Sequence, residues 1–158
     1  MATLPQLIEE DLYVIDESLK EFLRQTSATA ALVIDKGGFL VTHQGDAGEV
    51  DFTTLAALAS GAFMASQTIA GLVEEKNFNS TYQQGEKFSL LVIDLDEYCL
   101  LTVIFKSQTG VGLMKYYGSS CCSKIARQLV NAKERNPDGG FDLSVLNMAD
   151  PQELFRKK

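Results

Sequence analysis

Much of what marks an enzyme is missing from this chain. Its 158 residues include one histidine, His43. A lone histidine lacks the other members of a nucleophilic triad, and metal sites want several nitrogen or sulfur ligands. His43, in a strand beside a loop, is expected at the surface or in a structural role. No catalytic residue, metal site or cofactor is expected. The three cysteines, Cys99, Cys121 and Cys122, are too few and too oddly spaced for a disulfide framework. They are expected reduced and semi-buried rather than redox-active. Arginine is scarce: Arg24, Arg127, Arg135 and Arg156 are all there are. A net charge of −7 leaves no basic face for nucleic acid, so no such partner is expected. The N-terminus lacks a basic region followed by an apolar one, so a cytoplasmic protein is expected.

What the chain has instead is one long apolar stretch. Asp51 to Lys76 reads as a helix with no wet face until its last turn. At about 3.6 residues per turn, Leu55, Leu58, Ala62, Ala65, Ile69, Leu72 and Val73 form one stripe. Ala56, Ala59, Phe63, Ser66, Gln67 and Ala70 form a second. A helix apolar all round must be covered on more than one side. One side can face the chain's own sheet; the other implies a partner. A membrane span fits less well, because Ser60, Ser66, Gln67 and Thr68 interrupt the run and a span wants about 20 predominantly apolar residues. No membrane insertion is expected.

In order, a first helix is predicted from about Pro5 to Gln25. Thr3 and Gln6 stand at capping-box spacing, and Pro5 suits the first turn. Ile8, Leu12, Ile15, Leu19 and Phe22 would face inward, with a solvated acidic face of Glu9, Glu10, Asp11, Asp16, Glu17 and Glu21 opposite. Ala30–Asp35 and Phe39–His43 read as a hairpin about the turn Lys36-Gly37-Gly38. Asp51 or Thr53 is expected to cap the central helix. Asn77–Gln83 reads as a polar strand at a sheet edge, Phe88–Asp94 as an apolar strand and Tyr98–Phe105 as a central one. A free edge can pair with a second chain. Leu113–Tyr117 is expected to stay extended. Ser119 or Ser120 would then cap a third helix reaching about Arg135, with Cys122, Ile125, Leu129 and Ala132 inward. The boundary falls near residue 136: a domain over 1–136 and a tail over 137–158, with Gly139 to Asn147 flexible and one more helical turn near Leu154. Tight turns make neighbouring strands antiparallel. The fold class is thus α+β, with about five antiparallel strands, helices on both faces and the order α-β-β-α-β-β-β-α.

Other motifs are weak. Gly118-Ser119-Ser120-Cys121-Cys122-Ser123-Lys124 lacks P-loop spacing. Gly110-Val111-Gly112 reads as a tight bend. Asp94, Asp96 and Glu97 lack EF-hand spacing and are expected in a solvated turn.

The run ALVIDKGGFLVTHQG, then the Ala-rich helix, then YQQGEKFSLLVID and LLTVIFKSQTGVGLMKYYG, resembles the Roadblock family of dynein-associated light chains and small-GTPase regulators, in particular its bacterial MglB-like branch. The likeness runs from about Leu12 to Arg135. It rests most on the Asp35-Lys36-Gly37-Gly38 hairpin, the Gln84-Gly85-Glu86-Lys87 turn and the passage Gly110 to Gly118. The resemblance implies a profilin-like fold and a homodimer joined through central helices and third strands. It also implies a Ras-like small GTPase partner, whose hydrolysis is stimulated without an inserted arginine. On this reading Ala56, Ala59, Phe63, Ser66, Gln67, Ala70, Asn79, Ser80, Thr81 and Tyr82 would line the dimer seam. Ala57, Ser60, Met64 and Glu74 would face the partner. The two helix stripes are interchangeable at this stage, with Leu58 and Ile69 at the seam instead. A non-catalytic dimerisation or heterodimer scaffold and a small-molecule sensor remain the alternatives.

Overall fold

Strand alternation and tight turns lay down a single sheet, and the helices close on it from both sides. The structure, a computed structural model, describes residues 3–136. The elements run α1 (Glu9–Thr26), β1 (Ala30–Asp35), β2 (Leu40–Gly45), α2 (Phe52–Leu72), β3 (Ser80–Gln83), β4 (Phe88–Asp94), β5 (Cys99–Lys106) and α3 (Val111–Arg135), with one 3-10 turn at Ser107–Thr109 before α3. The sheet order is β2-β1-β5-β4-β3, and every neighbouring pair is antiparallel. The expected α+β class and element order are those observed. As expected, β5 is central and buried, and the polar β3 is an edge.

Because side chains alternate along a strand, β1 serves both faces. Ala31 and Val33 join Leu91, Leu101, Val103 and Phe105 under α1 and α3. Ala30, Leu32 and Ile34 join Val92, Leu100 and Ile104 under α2. A strand covered on both sides needs an unbroken apolar run, which AALVI supplies.

Three helix ends differ most from the sequence reading. Helix α1 begins at Glu9 rather than Pro5. Leu4 and Leu7 are buried in the core, so the chain enters extended, and Thr3, Pro5 and Gln6 do not open the helix. The Asp11 carboxylate accepts the Ile8 N–H instead (2.9 Å). Asp11 also departs from the solvated acidic face, for it is fully buried. It takes both Arg135 guanidinium nitrogens (2.8 Å each) and Gln128 Nε2 (2.7 Å). This latch ties the start of α1 to the end of α3.

Helix α3 starts at Val111, so Leu113–Tyr117 is helical and not extended. Gly110, at φ 88°, makes the bend that only glycine takes without strain. Met114 and Gly118 then continue the buried stripe of Cys121, Cys122, Ile125, Leu129 and Ala132. Gly118 is no helix break. A Cβ there would stand 2.8 Å from Ile93 Cδ1, so its bareness lets α3 lie close to the sheet. At the other end of the chain, the expected tail over 137–158 lies outside the described residues.

Helix α2 starts where expected: the Asp51 carboxylate accepts from the Thr53 and Thr54 amides (3.1 and 3.3 Å). It ends at Leu72, before Lys76. The next turn is broken by Glu74 at φ 62°. All three cysteines are free and buried. Burial pushes the Cys121 thiol up to about 12, far from the reactive thiolate range.

Candidate functional site

The residues of α2 sort into three rows. Ala56, Ala59 and Phe63 are buried against the chain's own sheet, Phe63 with 1% of its surface exposed, and Ala70 is buried further along the helix. Small alanines bring the helix close, and the one large ring fills the space over Leu32, Val92 and Leu100. This corrects the expected seam. A side chain with no surface left has none to offer a second chain, and Ala56, Ala59 and Phe63 are the ones that hold α2 to its sheet.

The other stripe is the uncovered one. Leu58 is 67% exposed, Ile69 52% and Leu72 80%, with Val73 beyond them. Ala62 and Ala65 between them are exposed, and Leu55 is half-buried. No charged residue lies between Asp51 and Glu74. By length and composition α2 is the one helix among the described residues apolar enough to cross a membrane. Its other side, however, is already docked on the sheet.

Ser60 is also corrected. The sequence reading places it at a partner, yet it is buried, and its hydroxyl donates to the Lys36 carbonyl (2.7 Å). Gln67 is half-buried and engaged within the chain: its Nε2 donates to the Phe78 carbonyl (2.9 Å), and its Oε1 accepts the Phe78 N–H (2.8 Å). This double clamp fixes the path from α2 to β3. Ser66 is half-buried, its hydroxyl bonded back to the Phe63 carbonyl (2.7 Å). Ala57, Met64 and Glu74 are exposed. With Gly61 and Thr68, Ala57 and Met64 make a third row, turned away from both the sheet and the Leu58–Leu72 stripe. Gly61 and Thr68 are absent from the expected partner face. The signal was available, since 57, 61, 64 and 68 follow the 4-3-4 spacing of a helix face.

The edge strand lies beside the end of α2. Ser80, Thr81, Tyr82 and Gln83 pair with Ile93, Val92, Leu91 and Leu90. The Asp94 N–H donates to the Asn79 carbonyl (2.9 Å), which makes Ser80–Ile93 a non-hydrogen-bonded pair of the ladder. By alternation, the backbone N–H and C=O of Ser80 and Tyr82 point outward, away from β4. Asn79 is exposed, and Ser80 and Thr81 are half-buried. The Tyr82 ring stacks on Phe105 (centroids 6.2 Å apart), which stiffens the edge.

Near the end of β1, Lys36 Nζ pairs with Asp94 Oδ1 (2.8 Å). Asp96 departs from the expected solvated turn: its carboxylate accepts the Tyr98 and Cys99 amides (2.8 and 2.9 Å). Burial, opposed by those amides, raises the Asp96 carboxyl above its usual range, and burial likewise raises Asp35. His43 is exposed, its ring 4.4 Å from that of Phe52. Among the described residues no group of three or more His, Cys, Asp or Glu side chains is arranged to hold a metal. What this side of the molecule exposes is an apolar stripe, the outer edge of β3 and a short row of small residues with Met64.

Comparison with known proteins bears on the family and the fold. The Roadblock/LC7 domain matches residues 14–105. The gliding protein MglB of Thermus thermophilus is 30% identical in sequence and superposes with a TM-score of 0.76, over 83% of this chain and 99% of that one. A solved MglB with a tetrameric arrangement is also 30% identical, with a TM-score of 0.77 over 84% of this chain and 99% of its own. An uncharacterized protein of Methanocaldococcus jannaschii is 27% identical over 112 residues, 71% of this chain and 93% of its own. The chain belongs to the Roadblock/LC7 domain family.

Proposed function

We propose that this protein is a homodimeric cytoplasmic regulator of a Ras-like small GTPase, working by presenting a surface rather than by contributing a catalytic side chain. The observation that carries the reading is the uncovered stripe of α2. Leu55, Leu58, Ala62, Ala65, Ile69 and Leu72 alternate steps of three and four, the spacing of a helix–helix seam. The stripe is also self-complementary. Leu55 and Leu72, Leu58 and Ile69, and Ala62 and Ala65 each lie at equal distance from a point between Phe63 and Met64. Two copies laid antiparallel about a two-fold axis therefore match large to large, with alanines where the helices cross. A two-fold interface requires this self-matching. The same axis lets β3 edges pair through Ser80 and Tyr82, with Asn79 and Thr81 alongside. Seam and edge together cover α2 with protein in place of lipid.

With the seam occupied, the row of Ala57, Gly61, Met64 and Thr68, with Glu74 at its end, stays open for the GTPase. No arginine lies on α2 or β3, and Arg24 and Arg127 sit on α1 and α3, beyond the sheet. An arginine finger is worth about 10³ to 10⁵ in rate. Stimulation here would work through the GTPase's own residues and fall below about 10³. The test mixes the protein with GTP-loaded Ras-like GTPases from the same organism. Expected are binding and faster hydrolysis, both lost in Ala57→Arg while the dimer persists. Absence of binding and of any rate change for every such GTPase would overturn the regulatory reading.

A further inference from the structure

Beside the first turns of α2 an apolar cleft of about 370 Å³ opens between the helix and the β3–β4 hairpin. Val50, Leu55 and Phe88 line it beside the uncharged polar Gln83, Gln84 and Ser89, and no charged side chain does. Phe88 and Val50 remain exposed around it. At the far end of the same helix, Leu72 and Val73 project from the last turn, Leu72 being the most uncovered apolar side chain of α2. The chain thus carries an apolar plug and an apolar socket that its own fold keeps apart.

We infer that the plug of one copy seats in the socket of another: Leu72 and Val73 of each chain fill the Val50–Leu55–Phe88 cleft of its twin. This rests on the homodimer reading and adds the interlock that fixes its register. Two independent features lead to the same cleft. Along the α2 seam, the symmetric match brings Leu72 of one copy beside Leu55 of the other, and Leu55 is a wall of the socket. Along the sheet, antiparallel addition at Ser80 and Tyr82 sets the start of one β3 beside the end of the other, near Gln83 and Phe88. The Gln67–Phe78 clamp holds the end of α2 close to the start of its own β3. The partner's last α2 turn is therefore carried to the same place. An uncharged lining favours an apolar tip over a lysine or arginine anchor.

The test is a mixed-disulfide experiment on full-length protein. Leu72→Cys and Phe88→Cys are each expressed alone and also co-expressed as a pair, and every sample is treated with a mild oxidant. Both positions are exposed, so neither change disturbs the core, and the native cysteines are buried. A disulfide needs Cα atoms within about 7 Å. Expected is a covalent dimer from the co-expressed pair, up to the share that random pairing makes mixed. Little is expected from Leu72→Cys alone, because two such positions on antiparallel helices stand about 25 Å apart. If wild type is dimeric by light scattering but the mixed pair does not link, or Leu72→Cys links to itself, the seat is wrong and the dimer stands. The cleft would then be free for a different partner. A monomeric wild type would overturn the homodimer reading itself.

Discussion

On one face of the sheet, twenty buried residues form a core shared by α1, α3 and the strands; on the other, nine do so beneath α2. The strands are the same, and the difference lies in what covers them. The first face has two helices locked to each other through Asp11, Arg135 and Gln128. The second has one helix, which spends Ala56, Ala59 and Phe63 on the sheet and leaves Leu58, Ile69 and Leu72 in water. A fold that needed only internal stability would have put charge on that outer flank, as α1 does at Glu9, Glu10 and Glu17. Apolar residues kept where they stabilise nothing within the monomer point to association.

The contrast can be broken from either side. Phe63→Ala empties the middle of the thin core and should cost about 3–5 kcal/mol. Chemical denaturation would read this as a large fall in midpoint. A loss below about 1 kcal/mol would mean that α2 does not depend on its sheet contact. On the thick side, Asp11→Asn removes the charge that holds Arg135. Because Arg135 is partly exposed, the expected loss is about 2 kcal/mol, below the 3–5 kcal/mol of a fully buried pair.

Asp11 also sets a pH dependence. Burial alone would raise its carboxyl, but the Arg135, Ile8 and Gln128 hydrogen bonds together outweigh burial and hold it below the usual range. A carboxylate depressed in the folded state gives stability that is present above its unfolded value, near 3.8, and lost as pH falls through the folded one. The half-buried Asp35 and Asp96 run the opposite way. Their raised values favour the native state as pH falls toward the ordinary carboxylate range. Asp11→Asn should therefore flatten the acid-side loss of stability; an unchanged pH profile would place that loss elsewhere.

The sheet and its edges were legible because turn glycines and apolar alternation are local signals. The Lys36–Gly38 turn and the buried β5 needed nothing from the rest of the chain. The start of α3 was not legible. Gly110, Gly112 and Gly118 look like breaks until Ile93 is seen against Gly118, and that contact is tertiary. Asp11 was hidden for the same reason, since its partners lie more than a hundred residues along. The two stripes of α2 were visible as a pair, but which one met the sheet was not. Both are apolar, and only their packing against Leu32, Val92 and Leu100 decides. Ser60 looked like surface because its acceptor is a backbone carbonyl two elements away.

The most direct measurement is sedimentation at micromolar concentration of the wild type beside the double variant Leu58→Asp, Ile69→Asp. Both changes fall on exposed positions, so the monomer's unfolding midpoint should hold within about 0.5 kcal/mol. The expected result is a dimer for the wild type and a folded monomer for the variant. A wild type that sediments as a well-behaved single subunit, or a variant that remains dimeric, would contradict the claim that a second copy covers the open flank of α2.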